Sequence, residues 1–518
     1  MAKTIGRLGA VLAAALLTAG AASADVVHTS QGDLSGVVAG KVESFKGVPF
    51  AAPPVGDLRW RPPGPAPAWT GVKAATDFGP ICLQGRRIPT AQPMSEDCLT
   101  LNVWRPAGAK PGARLPVMVW IYGGAFIFGS GSVPIYDGTG FAEHGVVLVT
   151  FNYRLGRFGF FAHPALDGGP EAGGGPVANY GLMDQIAALK WTRANIAAFG
   201  GDPHRVTVFG ESAGAISVNY LMTSPAAHGL FDQAIAESGF GRGKPKPLRA
   251  AEAIGQAFAA ANGVKGDDAA AVAALRALPA DALNTPFTGL GDPAIPSPIL
   301  DGQILTQGIA EAFAKGEEAH VPYLEGGNSY EASLFPKVAD FPDPVIARVG
   351  GDPAKVIAAY GGKPKPEVAR EILTDTLITE PDRDLAREMA EQGVPAFVYH
   401  FSYVPASLRA TSFGAPHGSE IPYVFDTLPT QPYSYGNHDI PAATPDDQKI
   451  ADAMHAYWLA FAKTGDPDSA GGPAWPRYTV AGDQLVEFGA DGVQVRQGFA
   501  KDRLDLIEAA VRRASTAP

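Results

Sequence analysis

The chain has 518 residues, 46% of them hydrophobic and 18% charged, the balance of a folded globular protein longer than a single core usually extends. Its net charge is -11 and its Lys and Arg residues are scattered. That argues against nucleic acid as a partner, because phosphate binding needs clustered basic residues.

The N-terminus carries Lys3 and Arg7, an apolar run from Leu8 to Leu17, and then Ala22-Ser23-Ala24 ahead of Asp25. A positive start, a short apolar middle and a small-x-small end predict a secretory signal peptide, residues 1–24, cut after Ala24. A membrane anchor would need a longer and bulkier run. No later stretch is apolar enough for a span, so a secreted or periplasmic, soluble product covering residues 25–518 is expected. The two cysteines, Cys82 and Cys98, are close in sequence. In an exported chain they are expected to pair, closing a loop worth roughly 3 kcal/mol. A metal would need further ligands, and no histidine lies between them.

After the leader, Thr29 to Gly32 reads as a turn and Leu34 to Val38 as a strand, followed by a proline-rich connection from Pro53 to Pro67. Pro116 to Tyr122 is a continuous apolar run that ends in Gly123-Gly124-Ala125, where no bulky side chain covers the backbone N–H groups. Val146 to Tyr153 is a second buried strand. Leu182, Ile186, Leu189, Arg193 and Ile196 recur at helical spacing up to Gly200-Gly201. Between these lies a glycine-rich loop from Gly168 to Pro176. Strand, helix and strand in this order predict a parallel sheet with helices on its faces.

Val206 to Ala215 is the stretch that carries chemistry. The run Val206-Thr207-Val208-Phe209 predicts a strand, Gly210-Glu211-Ser212-Ala213-Gly214 a sharp turn, and Ala213 to Thr223 a helix. Glycine is required at 210 and 214 where a Cβ would collide with the neighbouring strand and helix. The turn presents the Ser212 hydroxyl above the sheet, and places the Ala213 N–H at a helix N-terminus, where it can meet a developing negative charge.

Alanine-rich helical stretches near 249–315 and again at 342–392 read as insertions over the sheet edge that could wall a pocket. His320 to Leu324 and Ala396 to Phe401 predict later strands, and Met454 to Ala462 and Asp502 to Val511 late helices.

A nucleophilic serine on such an elbow takes its acid and then its histidine from farther along the chain. That order removes His28, His144, His163 and His204. His228 and His320 precede the favoured acid. His400 lies inside a strand and reads as a satisfied core residue, His455 lies on a helix, and His438 in a polar loop. His417, in Gly414-Ala415-Pro416-His417-Gly418, is the candidate base, because a rigid loop at a strand end can hold an imidazole in one pose. Glu331, after the strand ending at Leu324, is the candidate acid, with Glu325 and Asp301 as competitors.

Several ordered stretches together resemble the type-B carboxylesterase and cholinesterase family of α/β-hydrolases. They are Phe45 to Ala51, Ser95 to Asn102, Trp120 to Phe126, Asn152-Tyr153-Arg154, Gly210 to Ala215, His417 to Pro422 and Phe461 to Pro467. The resemblance implies an α/β-hydrolase fold, with a central, mostly parallel sheet flanked by helices and helical insertions walling a gorge. It implies a Ser212–Glu331–His417 triad, oxyanion donors at Gly124, Ala125 and Ala213, and a Cys82–Cys98 disulfide. It also implies a supporting Ser238 and the ion pairs Arg59–Glu96 and Arg154–Asp184. Two features depart from the family. Leu83 to Asp97 contains no aromatic residue, where choline-binding members carry an indole, so choline esters are not the expected substrate. Ala125 stands where many relatives have a third glycine.

The expectation is a secreted serine esterase acting on small-molecule esters through an acyl-enzyme, with no metal or organic cofactor. Phe126, Phe240 and Phe335 are candidate pocket walls. A non-catalytic binding or adhesion relative, or a hydrolase of amides, carbamates or lactones, are the alternatives.

Overall fold

Continuous β-branched and aromatic runs have no face that tolerates water, so they form strands covered on both sides. In the computed structural model, which describes residues 22–23, 25–85, 88–167, 178–429, 433–435, 438–440, 442–468 and 471–516, these runs join one sheet. The leader through Leu17, Ala24, and the glycine-rich loop from Gly168 to Pro176 lie outside the described residues.

The strands are β1 (Ala22–Ser23), β2 (Val37–Ala39), β3 (Val42–Pro49), β4 (Thr100–Pro106), β5 (Leu115–Ile121), β6 (Val147–Phe151), β7 (Gly201–Glu211), β8 (Gln233–Glu237), β9 (Tyr323–Asn328), β10 (Ala396–Phe401), β11 (Gln484–Gly489) and β12 (Gly492–Gln497). Their order in space is β1-β2-β3-β4-β6-β5-β7-β8-β9-β10-β11-β12. From β6 to β11 the neighbours are parallel. Both margins are antiparallel. The parallel centre is the part predicted from strand–helix alternation. Sequence reading missed β3, β4, β8, β11 and β12; the β8 run, Gln-Ala-Ile-Ala-Glu, has neither the alternation nor the β-branched density that marks a strand.

Helix α1 (Tyr180–Asn195) is followed by a 3-10 turn, Ile196–Phe199, and Gly200 ends it at φ 87°, a left-handed stop that suits glycine. Helix α2 (Ala213–Thr223) follows the elbow. Helices α3 (Leu248–Ala261) and α4 (Ala269–Arg276) occupy the first predicted insertion, and Asp268 caps α4 through the Ala271 N–H.

The second insertion is not one tract. It divides into α5 (Pro342–Val349), α6 (Pro353–Ala359), α7 (Lys365–Thr374) and α8 (Glu380–Glu391), with Gly350-Gly351 and Gly361-Gly362 at the breaks and a π-turn, Asp375–Thr379, joining the last two. Ile346, Val349, Val356, Tyr360, Val368 and Ile372 close a separate small core with Ile507 of α10 (Lys501–Thr516). The first three of these helices therefore pack on the C-terminal helix, while Leu385, Ala386 and Met389 of α8 join the main core. The tract also reaches the candidate site, where Thr374 Oγ1 accepts the Ala332 N–H at 3.2 Å and the Arg370 guanidinium lies 3.6 Å over the Phe413 ring. Helix α9 (Pro445–Thr464) extends beyond its predicted Met454 to Ala462 core because Thr444 and Asp447 form a capping box at its start.

Covalent and ionic ties hold the margin of the sheet. Cys82 and Cys98 form a disulfide with an S–S distance of 2.05 Å. Arg59 forks onto Glu96 at 2.8 and 2.5 Å, and Arg154 onto Asp184 at 2.8 Å through both contacts. Among the described residues no helix is long and apolar enough to cross a membrane.

Candidate active site

The elbow is built by close backbone approach. Ser212 has φ 56° and ψ -121°, a conformation costly for a side-chain-bearing residue. It is held there by its N–H on the Glu237 carbonyl at 2.9 Å, and by the Ile216 N–H on its own carbonyl at 2.8 Å. A Cβ at Gly210 would lie 2.6 Å from the Ile121 carbonyl oxygen, and one at Gly214 only 1.9 Å from the same atom. Strand β5 and helix α2 can touch because both positions are glycine.

The loop after β5 lies against this turn. A Cβ on Gly123 would come 3.0 Å from Ser212 Cβ. Gly124, Ala125 and Phe126 all have positive φ, 108°, 53° and 63°. The Gly124 carbonyl is turned inward and accepts the N–H groups of Ile127 and Phe128 at 3.0 and 3.2 Å. The N–H groups of Gly124 and Ala125 make no hydrogen bond among the described residues. Ala213 opens α2, where an N–H has no intrahelical acceptor.

Glu331, fully buried, sits in the turn after β9. Its Oε1 accepts from the Ser238 hydroxyl at 2.5 Å and the Asn328 N–H at 2.7 Å, while its Oε2 pairs with His417 Nδ1 at 2.5 Å. The loop bearing His417 is braced to the same turn. The Tyr330 N–H reaches the Ala415 carbonyl at 2.9 Å, the Ala415 N–H reaches Ser329 Oγ at 2.9 Å, and the His417 N–H reaches Ser333 Oγ at 3.0 Å. Of the competing acids, Glu325 is buried within β9, and Asp301 Oδ1 accepts the N–H groups of Gln303, Ile304 and Leu305 as a turn former. Neither has a hydrogen bond or ion pair with His417.

His417 Nε2 faces Glu211 Oε1 at 3.0 Å, out of line for a hydrogen bond, and has no hydrogen-bond partner among the described residues. Its neighbour is thus the residue immediately before Ser212. Phe240, with φ 46°, sets its ring edge-on to the imidazole at 6.1 Å. Phe126 packs against Phe160 at 5.2 Å and is 4% exposed, so it belongs to the core.

Charge around the imidazole is concentrated in buried carboxyls that sequence reasoning overlooked. Glu211 and Glu237 are register partners on adjacent strands, and Glu420 Oε2 accepts from Asn328 Nδ2. Trp458 Nε1 donates to Glu237 Oε1 at 2.8 Å. Burial, with Glu331 adding repulsion against the pull of His417, pushes the Glu211 carboxyl up to about 7. Burial, with Glu211 and Glu331 adding, pushes Glu420 up to about 8, and burial and Glu420 hold Glu237 well above the carboxylate range. Burial disfavours the charged form of His417, but Glu211 and then Glu331 outweigh it and raise the ring to about 10. Glu211, set between Gly210 and Ser212, and Glu420, three residues after His417, were legible only as charges in apolar surroundings.

His400 is buried in β10, as expected of a core histidine, with its ring tilted against Phe499 at 4.6 Å; burial lowers it to about 4, against the opposing pull of Glu487. His455 is buried on α9 with Nδ1 on the Val424 carbonyl at 2.7 Å, and His438 falls in a short hairpin strand.

An imidazole with a carboxylate on one nitrogen and the other uncommitted, a serine on a strained elbow and adjacent bare amides are the parts of an acyl-transfer centre. The carboxylesterase family matches residues 23–344 and 362–507 of the chain. The chain belongs to that family. Carboxylesterases similar to it include the fumonisin B1 esterase of Sphingopyxis macrogoltabida, 40% identical over 90% of this chain and 86% of the relative. The para-nitrobenzyl esterase of Bacillus subtilis is 36% identical over 88% and 92%. A crystal structure of a Geobacillus stearothermophilus carboxylesterase superposes with a TM-score of 0.80 at 37% identity, covering 94% of this chain and 99% of that one. This carboxylesterase therefore has the α/β-hydrolase fold and is a carboxylic ester hydrolase.

Proposed function

We propose that this carboxylesterase is an exported serine esterase in which Ser212 is the nucleophile, His417 the general base and acid, and Glu331 the group that orients and charge-balances His417. The observation that carries this reading is the 2.5 Å contact between Glu331 Oε2 and His417 Nδ1, made by two residues far apart in the chain beside the Ser212 elbow. With Nδ1 committed to Glu331, Nε2 is the nitrogen that takes the Ser212 proton as the hydroxyl oxygen bonds to the ester carbonyl carbon. The carbonyl π electrons move to oxygen, where the N–H groups of Gly124, Ala125 and Ala213 receive the negative charge.

Collapse of that tetrahedral adduct breaks the bond to the alcohol oxygen, which leaves with the proton from Nε2, and Ser212 stays acylated. Water, deprotonated by His417, attacks the acyl carbon in the same way; the carboxylic acid departs and the proton returns to Ser212. Export of the chain after removal of residues 1–24 accords with the Cys82–Cys98 disulfide, since such bonds persist in oxidising compartments. The test is a fluorophosphonate probe with intact protein: labelling at Ser212, lost in S212A along with ester hydrolysis, is expected. Folded protein that hydrolyses p-nitrophenyl acetate equally well as S212A would overturn the assignment.

A further inference from the structure

The bare N–H groups after β5 belong to planar peptides, so the direction of each follows the carbonyl at the other end of its own peptide. The carbonyl that shares a peptide with the Ala125 N–H is that of Gly124, fixed within the turn by the Ile127 and Phe128 N–H groups at 3.0 and 3.2 Å. The carbonyl that shares a peptide with the Gly124 N–H is that of Gly123. Gly129 lies directly against it: a Cβ at Gly129, where φ is 128°, would come 2.8 Å from the Gly123 carbonyl oxygen and 2.4 Å from the Tyr122 ring. Gly123 in turn abuts the elbow, its own Cβ position being 3.0 Å from Ser212 Cβ.

Gly129 is held by one side chain from a distant part of the chain. Gln84 lies in the loop closed by the Cys82–Cys98 disulfide and is 4% exposed. Its Oε1 accepts the Gly129 N–H at 3.0 Å, and its Nε2 donates to the Gly129 carbonyl at 3.0 Å. Nε2 also donates to the Cys82 carbonyl at 3.0 Å, which locks the amide on its own loop. Gly129, itself buried, has no other hydrogen-bond partner among the described residues. The next stretch is fixed separately by Asn152, whose Oδ1 accepts the Gly131 N–H at 3.0 Å while its Nδ2 donates to the Cys98 carbonyl at 3.3 Å. Taking the Gln84 amide away leaves a buried N–H and a buried C=O without partners, and the backbone regains them only by moving. Contact passes that movement to the Gly123 carbonyl, and planarity passes it to the Gly124 N–H.

We propose that Gln84 is a positioning residue for ester hydrolysis: its carboxamide, anchored on the disulfide loop, holds the Gly124 N–H on the oxygen that becomes negatively charged. The proposal rests on the serine-esterase reading. A displaced donor weakens the transition state more than the ester complex, because its hydrogen bond is strongest when the charge has developed. Acylation and deacylation both pass through such an oxyanion, so the signature is a fall in kcat at nearly constant KM.

The experiment measures kcat and KM for p-nitrophenyl acetate, and Ki for a trifluoromethyl ketone whose adduct with Ser212 carries the same oxyanion. Wild type, Q84M and Q84E are each normalised to the fraction labelled at completion by a fluorophosphonate. Q84M keeps the volume and loses every hydrogen bond; kcat is expected to fall and Ki to rise, each on the order of tenfold, with KM within about twofold of wild type. Q84E, held neutral by burial, keeps an acceptor for the Gly129 N–H and a donor for its carbonyl, and is expected to recover most of both. Q84N, one methylene short of Gly129, carries the same expectation as Q84M and replaces it if that variant does not fold. Wild-type kcat and Ki in folded Q84M overturn the proposal. So does a fall in kcat with Ki unchanged, since the donors would then be in place and the damage elsewhere. Wild type that neither takes the fluorophosphonate nor binds the ketone would overturn the serine-esterase reading itself, an outcome distinct from both.

Discussion

The His417 imidazole lies between two carboxyls, with Glu331 Oε2 at 2.5 Å from Nδ1 and Glu211 Oε1 at 3.0 Å from Nε2. A general base must be neutral to accept a proton, and a ring held as imidazolium up to about 10 is idle at neutral pH. Burial lifts Glu211 only to about 7, below the ring, so the Glu211 and Glu331 charges together favour the proton on the imidazole. Glu211 is the larger of the two attractions on the ring, so E211Q should make the imidazolium easier to deprotonate. The acid limb of kcat/KM is then expected to move to lower pH by roughly one to three units. A pH–rate profile between pH 5 and 10 measures it; a limb that stays in place would mean that Glu211 does not control the ring. The sequence marks Glu211 only as the unnamed position in Gly-x-Ser-x-Gly, because nothing local says that a loop some two hundred residues onward will bring an imidazole against it.

At the level of elements, the Ser212 turn depends on how closely α2 approaches β5. That approach is set by Gly214, whose added Cβ would meet the Ile121 carbonyl oxygen at 1.9 Å. Both partners are backbone, so G214A can be accommodated only by moving the start of α2, which carries the Ser212 turn and the Ala213 N–H with it. Displacement on the scale of 1 Å is expected to lower kcat/KM on the order of a hundredfold and to slow fluorophosphonate labelling in step, with helix content by circular dichroism retained. Gly64, where a Cβ would meet only the Ala52 Cβ at 3.9 Å, supplies the control: G64A should leave both rates unchanged. Labelling of G214A at the wild-type rate would show that the elbow tolerates the methyl. This element was legible before any coordinates, since its glycines and apolar run are consecutive. Strand β8 was not, because Gln233 to Glu237 becomes a strand only through pairing with β7 and β9 on either side.

Across the whole molecule, titratable groups are buried in opposite senses, and their sum sets how stability follows pH. His417 is raised to about 10 from an unfolded value of about 6.5, and Glu420 to about 8 from about 4.3. For a raised group the folded protein binds the extra proton, so its contribution is complete below the unfolded value and is lost as pH rises through the folded one. Glu237, Glu325 and Asp382, all raised chiefly by burial, act in the same direction. His400, lowered to about 4, acts oppositely: its contribution is present above about 6.5 and is lost as pH falls. The thermal unfolding midpoint is therefore expected to decline from pH 7 to pH 9, and a midpoint that is level or rising over that interval, measured by calorimetry, would contradict this account.

The sequence by itself determined the local parts of this carboxylesterase: the parallel strands β5, β6, β7, β9 and β10, the Ser212 elbow, the bare Gly124–Ala125 loop and the rigid loop around His417. These are written in runs of consecutive residues whose sterics act over a few positions, and the family resemblance rests on the same runs. Which of Glu331, Glu325 and Asp301 meets His417 on the residues' own evidence stayed open, because that contact spans 86 positions and depends on β9 and β10 lying side by side. The gathering of Glu211, Glu237 and Glu420 and the packing of 342–374 on the C-terminal helix were likewise decided by tertiary structure alone. Each depends on which surfaces meet when distant segments close the sheet, and a short stretch of chain does not encode what will be placed against it.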